Sequence, residues 1–139
     1  MKISARVDNS FRKHVVTLNT NDTARELPIP PKADGVGSSV NGGELLCLAL
    51  ATCYCNDLYR EAKKRGINLD RVEVEVEAMF GAEGAAAEQL AYRARVSAKA
   101  SREKIIDLMR HTDSVAEIQN TLRRGTMVKL DRAEAVCVA

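Results

Sequence analysis

Four side chains of this 139-residue chain can act as nucleophiles or soft ligands: Cys47, Cys53, Cys55 and Cys137. A thiol reacts as its thiolate, and burial in apolar surroundings raises its pKa and silences it. Cys47 stands in the apolar run Leu45 to Ala51 and reads as an inert core residue. Cys53 and Cys55 are two apart, about 200° around a helix, so they point in opposite directions and cannot bridge without unwinding it. Cys53 falls about three turns into the expected helix, beyond the reach of the helix dipole. A thiolate there needs an Arg or Lys supplied by another segment. His14 and His111 each lie more than four residues from any Cys, whereas zinc sites show paired ligands at short spacing. No metal and no cofactor are therefore expected. His111 reads as a solvent-facing or helix-capping residue.

The elements that must position these thiols follow from periodicity. Ile3, Ala5 and Val7 alternate, Asp8-Asn9-Ser10 is turn-prone, and His14 to Leu18 is strand-like, which predicts a hairpin. Residues 19–41 are rich in Asn, Asp, Gly, Ser and Pro and read as a long loop with a short strand around Glu26-Leu27. From Gly43 the pattern turns helical. Leu45 to Cys55 is apolar nearly all round and is expected to be buried. Asp57 to Arg65 is amphipathic with Leu58, Tyr59 and Ala62 inward, and Gly66 closes the helix. Val72, Val74, Val76 and Ala78 alternate with three Glu, and Leu90 to Ala98 alternate with Arg93 and Arg95. These are two half-buried strands whose outer faces carry opposite charge and should pair across the hairpin. Ser101 caps a helix that falters at His111-Thr112-Asp113, and Ser114 to Glu117 reads as a capping box opening a second helix that ends at Gly125. Thr126 to Leu130 and Ala135 to Ala139 read as terminal strands. Grouped rather than alternating strands and helices give the class α+β, as one domain spanning residues 1–139.

Composition excludes several functions. A formal charge of +2, with no basic run longer than Lys63-Lys64-Arg65, does not suit a nucleic-acid or anionic-membrane binder. The longest apolar run is far short of the ~20 residues needed to span a bilayer. The opening residues Met1 to Asp8 are polar and do not resemble a secretory signal, and clustered cysteines do not resemble a disulfide framework. The expected setting is cytoplasmic and reducing.

The run Gly42-Gly43-Glu44-Leu45-Leu46-Cys47-Leu48-Ala49-Leu50-Ala51-Thr52-Cys53, the helix ending at Gly66 and the strand Val72 to Val76 closely resemble the osmotically inducible protein C and organic hydroperoxide resistance (OsmC/Ohr) family. Asn120-Thr121-Leu122-Arg123-Arg124-Gly125 resembles the close of the family's second motif. The resemblance implies an intertwined homodimer with a long central helix, antiparallel sheets and reactive thiols near the subunit interface. It implies Cys53 as the peroxidatic nucleophile, Glu44 as the acidic residue near the helix start, and Arg12 or Arg25 as the cation that supports the thiolate. Where the peroxidases carry a Cys-Pro pair, this chain has Ala116-Glu117. Its cycle would then use Cys55 or Cys137 as resolving thiol, or a small thiol acting directly on the sulfenic acid. Two functions follow as expectations. One is a thiol-dependent reductase of organic hydroperoxides whose partners are itself, a peroxide and a thiol. The other is a non-catalytic dimer that binds a small apolar or sulfur-containing ligand. Plain core packing is the competing role for Cys55 and Cys137.

Overall fold

The structure is a computed structural model and describes residues 1–138. Its elements run β1 (Ile3–Ser10), β2 (Lys13–Thr20), β3 (Thr23–Glu26), α1 (Gly42–Lys64), β4 (Leu69–Met79), β5 (Glu88–Ala98), α2 (Arg102–Val115) and α3 (Glu117–Arg123). Both sheets are antiparallel, and the class is α+β. The chain divides into two compact units, Met1–Leu46 and Cys47–Ala139.

In the first unit β1, β2 and β3 form a meander with Val7 opposite Val16 and Ala5 opposite Leu18. The hairpin turn places Arg12 in the left-handed region at φ 60, where its N–H donates to Gly35 O at 2.7 Å. Gly35 itself sits at φ +88, and a Cβ there would lie 2.7 Å from the Phe11 ring, so only glycine fits this approach. The short strand expected around Glu26-Leu27 is β3, which starts at Thr23 and ends at Glu26. The helix start is fixed by a reciprocal capping box. Asn41 Oδ1 accepts from the Glu44 N–H at 2.8 Å, and a Glu44 carboxylate oxygen accepts from the Asn41 N–H at 3.2 Å.

In the second unit Tyr54, Leu58 and Ala62, spaced four apart on one face of α1, pack with Leu108 of α2 against the inner residues of β4 and β5. Tyr54 and Tyr92 meet edge to face with centroids 4.9 Å apart. The outer faces pair as their charges predict: Glu75 opposes Arg93, which bonds Glu75 at 3.1 Å and Glu77 at 2.8 Å. Gly66 at φ +64 ends α1, and Ile67 N–H returns to Ala62 O at 2.9 Å in the Schellman pattern.

Several expectations need correction. The first half of α1 is not buried all round, since Leu48 is 57% exposed, and Tyr59 faces outward. The helix does not falter at His111: α2 runs through Thr112, which is wholly buried and donates its hydroxyl to Leu108 O at 2.8 Å. Ser114 does not open the next helix, because its hydroxyl donates back to His111 O; the break falls at Ala116, which caps α3 with no side-chain hydrogen bond. Thr126 to Leu130 forms no strand, and neither do the described residues of the Ala135 to Ala139 segment; Ala139 lies outside the described residues. Alternation alone does not make a strand without a neighbouring backbone to bond.

Candidate functional site

Cys53 lies on α1 one turn before Asp57, and the i, i+4 spacing puts both on the same face. The Cys53 Sγ donates to Asp57 Oδ2 at 3.4 Å, and Glu117 Oε2, from the first turn of α3, lies 3.9 Å away. Asp57 is only 5% exposed, whereas the Glu117 side chain is 63% exposed. One guanidinium ties the acids together: Arg60 Nη1 lies 2.9 Å from Asp57 Oδ1 and 3.0 Å from Glu117 Oε1. Its Nε donates to Glu61 Oε1 at 2.9 Å, and Glu61 also receives Lys64 at 2.9 Å and faces His111 Nε2 at 3.2 Å.

This arrangement sets the proton inventory. Burial pushes the Cys53 thiol up, and the neighbouring Asp57 and Glu117 add to it; the Ile118 backbone N–H, directed at the sulfur, opposes them. Burial and then Glu117 hold the Asp57 carboxyl above its usual range. Glu117 is held low by its own backbone N–H and by Asp57 and Arg60. Hydrogen bonds from Lys64 and Arg60, then His111, bring Glu61 down to about 2.

The cation of this cluster is Arg60, from the helix that carries the thiol, and it pairs with the two carboxyls. Arg12, Arg25 and Glu44 belong to the first unit, and each has a local setting there. The Arg12 guanidinium stands 5.1 Å over the Phe11 ring, Arg25 pairs with Leu18 in the sheet, and Glu44 caps α1. All four cysteines are free; Cys47 and Cys55 are half-buried, and Cys137 is exposed, which removes core packing as its role. His111 is neither a cap nor solvent-facing alone but a partner of Glu61. The Cys53, Asp57 and Glu117 ligand atoms lie within 4.8 Å of one another, near enough for one divalent ion to reach all three. The histidine-spacing test missed this group because its ligands are a thiol and two carboxyls. Asp57 was open to sequence reasoning at its i+4 spacing; Glu117, 64 residues from Cys53, offered only its place beside Ala116.

Two antiparallel sheets, and a long helix carrying a half-buried thiol beside two carboxyls, place the chain in the α+β class. Within that class the chain belongs to the OsmC-like protein family, whose model matches residues 35–131. No curated protein matches it significantly. Among solved structures it is similar to an OsmC-like protein from Mycoplasma pneumoniae, at 16% identity and TM-score 0.63, over 88% of each chain. It is also similar to an organic hydroperoxide resistance protein from Elizabethkingia anophelis, at 18% identity and TM-score 0.59, over 88% of this chain and 89% of that one. The organic hydroperoxide resistance protein OhrB of Bacillus subtilis aligns at 18% identity and TM-score 0.55, over 88% and 91% of the two chains. At these identities the likeness is one of fold. Among the described residues no helix is long and apolar enough to cross a membrane.

Proposed function

We propose that this chain is a thiol-dependent reductase of organic hydroperoxides, with Cys53 as nucleophile, acting as a homodimer in the cytoplasm. The observation that carries the reading is the meeting of Cys53 with the start of α3. Glu117 reaches the sulfur at 3.9 Å, and it directly follows Ala116, the position to which the family resemblance assigns a second cysteine. Ala116 holds no thiol, so the sulfenic acid formed on Cys53 is reduced by a small thiol. One thiol condenses with it, releasing water, and a second attacks the mixed disulfide, which frees the Cys53 thiolate and leaves a small-molecule disulfide. Cys55 and the exposed Cys137 are the alternative resolving thiols. Glu44 and either Arg12 or Arg25 are retained as candidate supports for the thiolate. The names of the similar hydroperoxide resistance proteins support the substrate class.

The raised thiol pKa favours a second reading, in which the chain binds a small apolar or sulfur-containing ligand without turnover. A cavity of about 100 Å³ lined by Leu50, Val76, Leu90, Tyr92 and Leu122 would receive it. The Gln119 amide sits on the same wall, its Nε2 donating to Leu50 O at 3.0 Å and its Oε1 without a partner. Cumene hydroperoxide consumption with dithiothreitol separates the two. The reductase removes peroxide catalytically and Cys53→Ser does not; equal, slow removal by both leaves the binding reading.

A further inference from the structure

The cavity of about 100 Å³ gathers Leu50 from α1, Val76 from β4, Leu90 from β5 and Leu122 from α3 around a single amide, that of Gln119. Gln119 is only 3% exposed. Its Nε2 is committed to Leu50 O at 3.0 Å, which fixes the orientation of the amide, and its Oε1 is buried with no hydrogen-bond partner among the described residues. The other polar side chains of the wall are engaged. The Tyr92 hydroxyl donates to Asp113, and the Arg123 guanidinium donates to the same carboxylate at 2.6 Å and to Asn120 Oδ1 at 3.1 Å.

We propose that this cavity binds a small neutral molecule with an apolar body and one N–H or O–H donor, which the Gln119 Oε1 accepts. This rests on the ligand-binding reading above, whose cavity it uses, and names the ligand class. Cys53 is not among the lining residues, so the site stands apart from the thiol cluster and does not need its chemistry.

The wall dictates each property of the ligand. Buried polar groups are almost always paired, and a buried carbonyl oxygen left without a donor is costly, so the amide calls for a donor. Apart from that oxygen and the engaged Tyr92 and Arg123 the lining is apolar, so the body of the ligand must be apolar as well. A charged group would lose its water opposite an amide oxygen and an arginine already paired with Asp113, which excludes ions. Size follows from volume: an apolar cavity of about 150 Å³ holds benzene, so about 100 Å³ suits a body of about four or five heavy atoms. The donor also sets apart this ligand from a thioether or a bare hydrocarbon, neither of which can pair the Gln119 oxygen.

Pyrrole and thiophene test this, being five-membered aromatic rings of similar size of which only pyrrole carries a donor. Each is titrated into the full chain and followed by NMR at the Leu50 and Leu122 methyls and the Gln119 side-chain amide. Pyrrole should move these signals saturably and bind at least about fivefold more tightly than thiophene, the scale of one hydrogen bond. In Gln119→Met, which keeps the length and removes the acceptor, that preference should vanish while thiophene still binds. Should Gln119→Met not fold, the comparison in the wild type still decides, because the two rings differ in the donor. Equal binding of both rings at these signals overturns the donor requirement and leaves the reading of a small apolar or sulfur-containing ligand in place. A preference for pyrrole that survives in folded Gln119→Met overturns Gln119 as the acceptor. If neither ring moves the cavity signals, the proposal and the ligand-binding reading fall together.

Discussion

Asp57 Oδ2 lies 3.4 Å from Cys53 Sγ, one turn further along the same helix, so the thiol donates to an acid of its own helix. The same four-residue spacing that builds the α1 core from Tyr54, Leu58 and Ala62 also aligns this pair on a neighbouring face. One helix thus anchors the domain and sets the reactivity of its thiol.

The thiol should titrate late. Burial, then Asp57 and Glu117, outweigh the Ile118 N–H and raise Cys53 above the ordinary 9.0. The iodoacetamide rate at the Cys53 peptide, followed by mass spectrometry, should still be climbing past that pH in the native protein. In guanidinium the midpoint should fall back to the ordinary value. A native midpoint below the denatured one would show that a cation, and not the acid pair, governs the sulfur.

Glu61 should make stability depend on pH in the acid range. Its folded carboxyl is held at about 2 against an ordinary 4.5, because Lys64, Arg60 and His111 all bond the charged form. A lowered folded pKa stabilises above the unfolded value, and that contribution is lost as pH falls from about 4.5 toward 2. Glu61→Gln should lower the melting temperature at pH 7 and flatten its dependence between those two values. A parallel decline in wild type and variant through that window would assign acid lability to other carboxyls.

The α1–α2 contact should carry much of the second unit's stability. Leu58 and Leu108 are both wholly buried, and each large-to-small change leaves a cavity under the β4–β5 sheet. Leu58→Ala and Leu108→Ala should each cost roughly 2 to 5 kcal/mol in urea unfolding. Leu48→Ala, at a 57% exposed position of the same helix, should cost well under half of that in the isolated chain. A large loss from Leu48→Ala at high protein concentration, vanishing on dilution, would mean that a second copy covers this face.

Most of the fold was legible because it is local. The β4 and β5 alternation, the hairpin of β1 and β2, Gly66 at the end of α1 and the Ser101 cap all depend on residues within a few positions of one another. The misreadings came where a distant contact overrode a local rule. Thr112 looks like a helix breaker, yet it is buried and satisfies its hydroxyl on Leu108 O, so α2 continues. Val128 and Leu130 alternate like a strand but are 94% and 85% exposed with no backbone to pair. At the site, Cys53 stood out through the family resemblance of residues 42–53, whereas Glu117 joins it only through the packing of α3 on α1. That packing is tied by the Gln119 amide on Leu50 O at 3.0 Å, a contact 69 residues apart in the chain.

Ala116 should accept a functional thiol. It caps α3 and is wholly buried, and its chain neighbour Glu117 already reaches Cys53 Sγ at 3.9 Å. A sulfur carried on the residue before Glu117 tests whether the start of α3 can bring a second thiol to Cys53. Ala116→Cys adds one sulfur atom to a closed position, so overpacking should cost about 1 to 3 kcal/mol. In return, one equivalent of cumene hydroperoxide should convert two thiols to a disulfide, read as a Cys53-linked peptide pair and a mass loss of two hydrogens. The wild type under the same conditions should instead yield dimedone-trapped sulfenic acid. Ala116→Ser, which matches the size of the change without the thiol, separates packing from chemistry. Should Ala116→Cys remain folded and still give only dimedone adduct, the start of α3 is not where a second thiol meets Cys53, and the one-thiol cycle proposed here loses its structural basis.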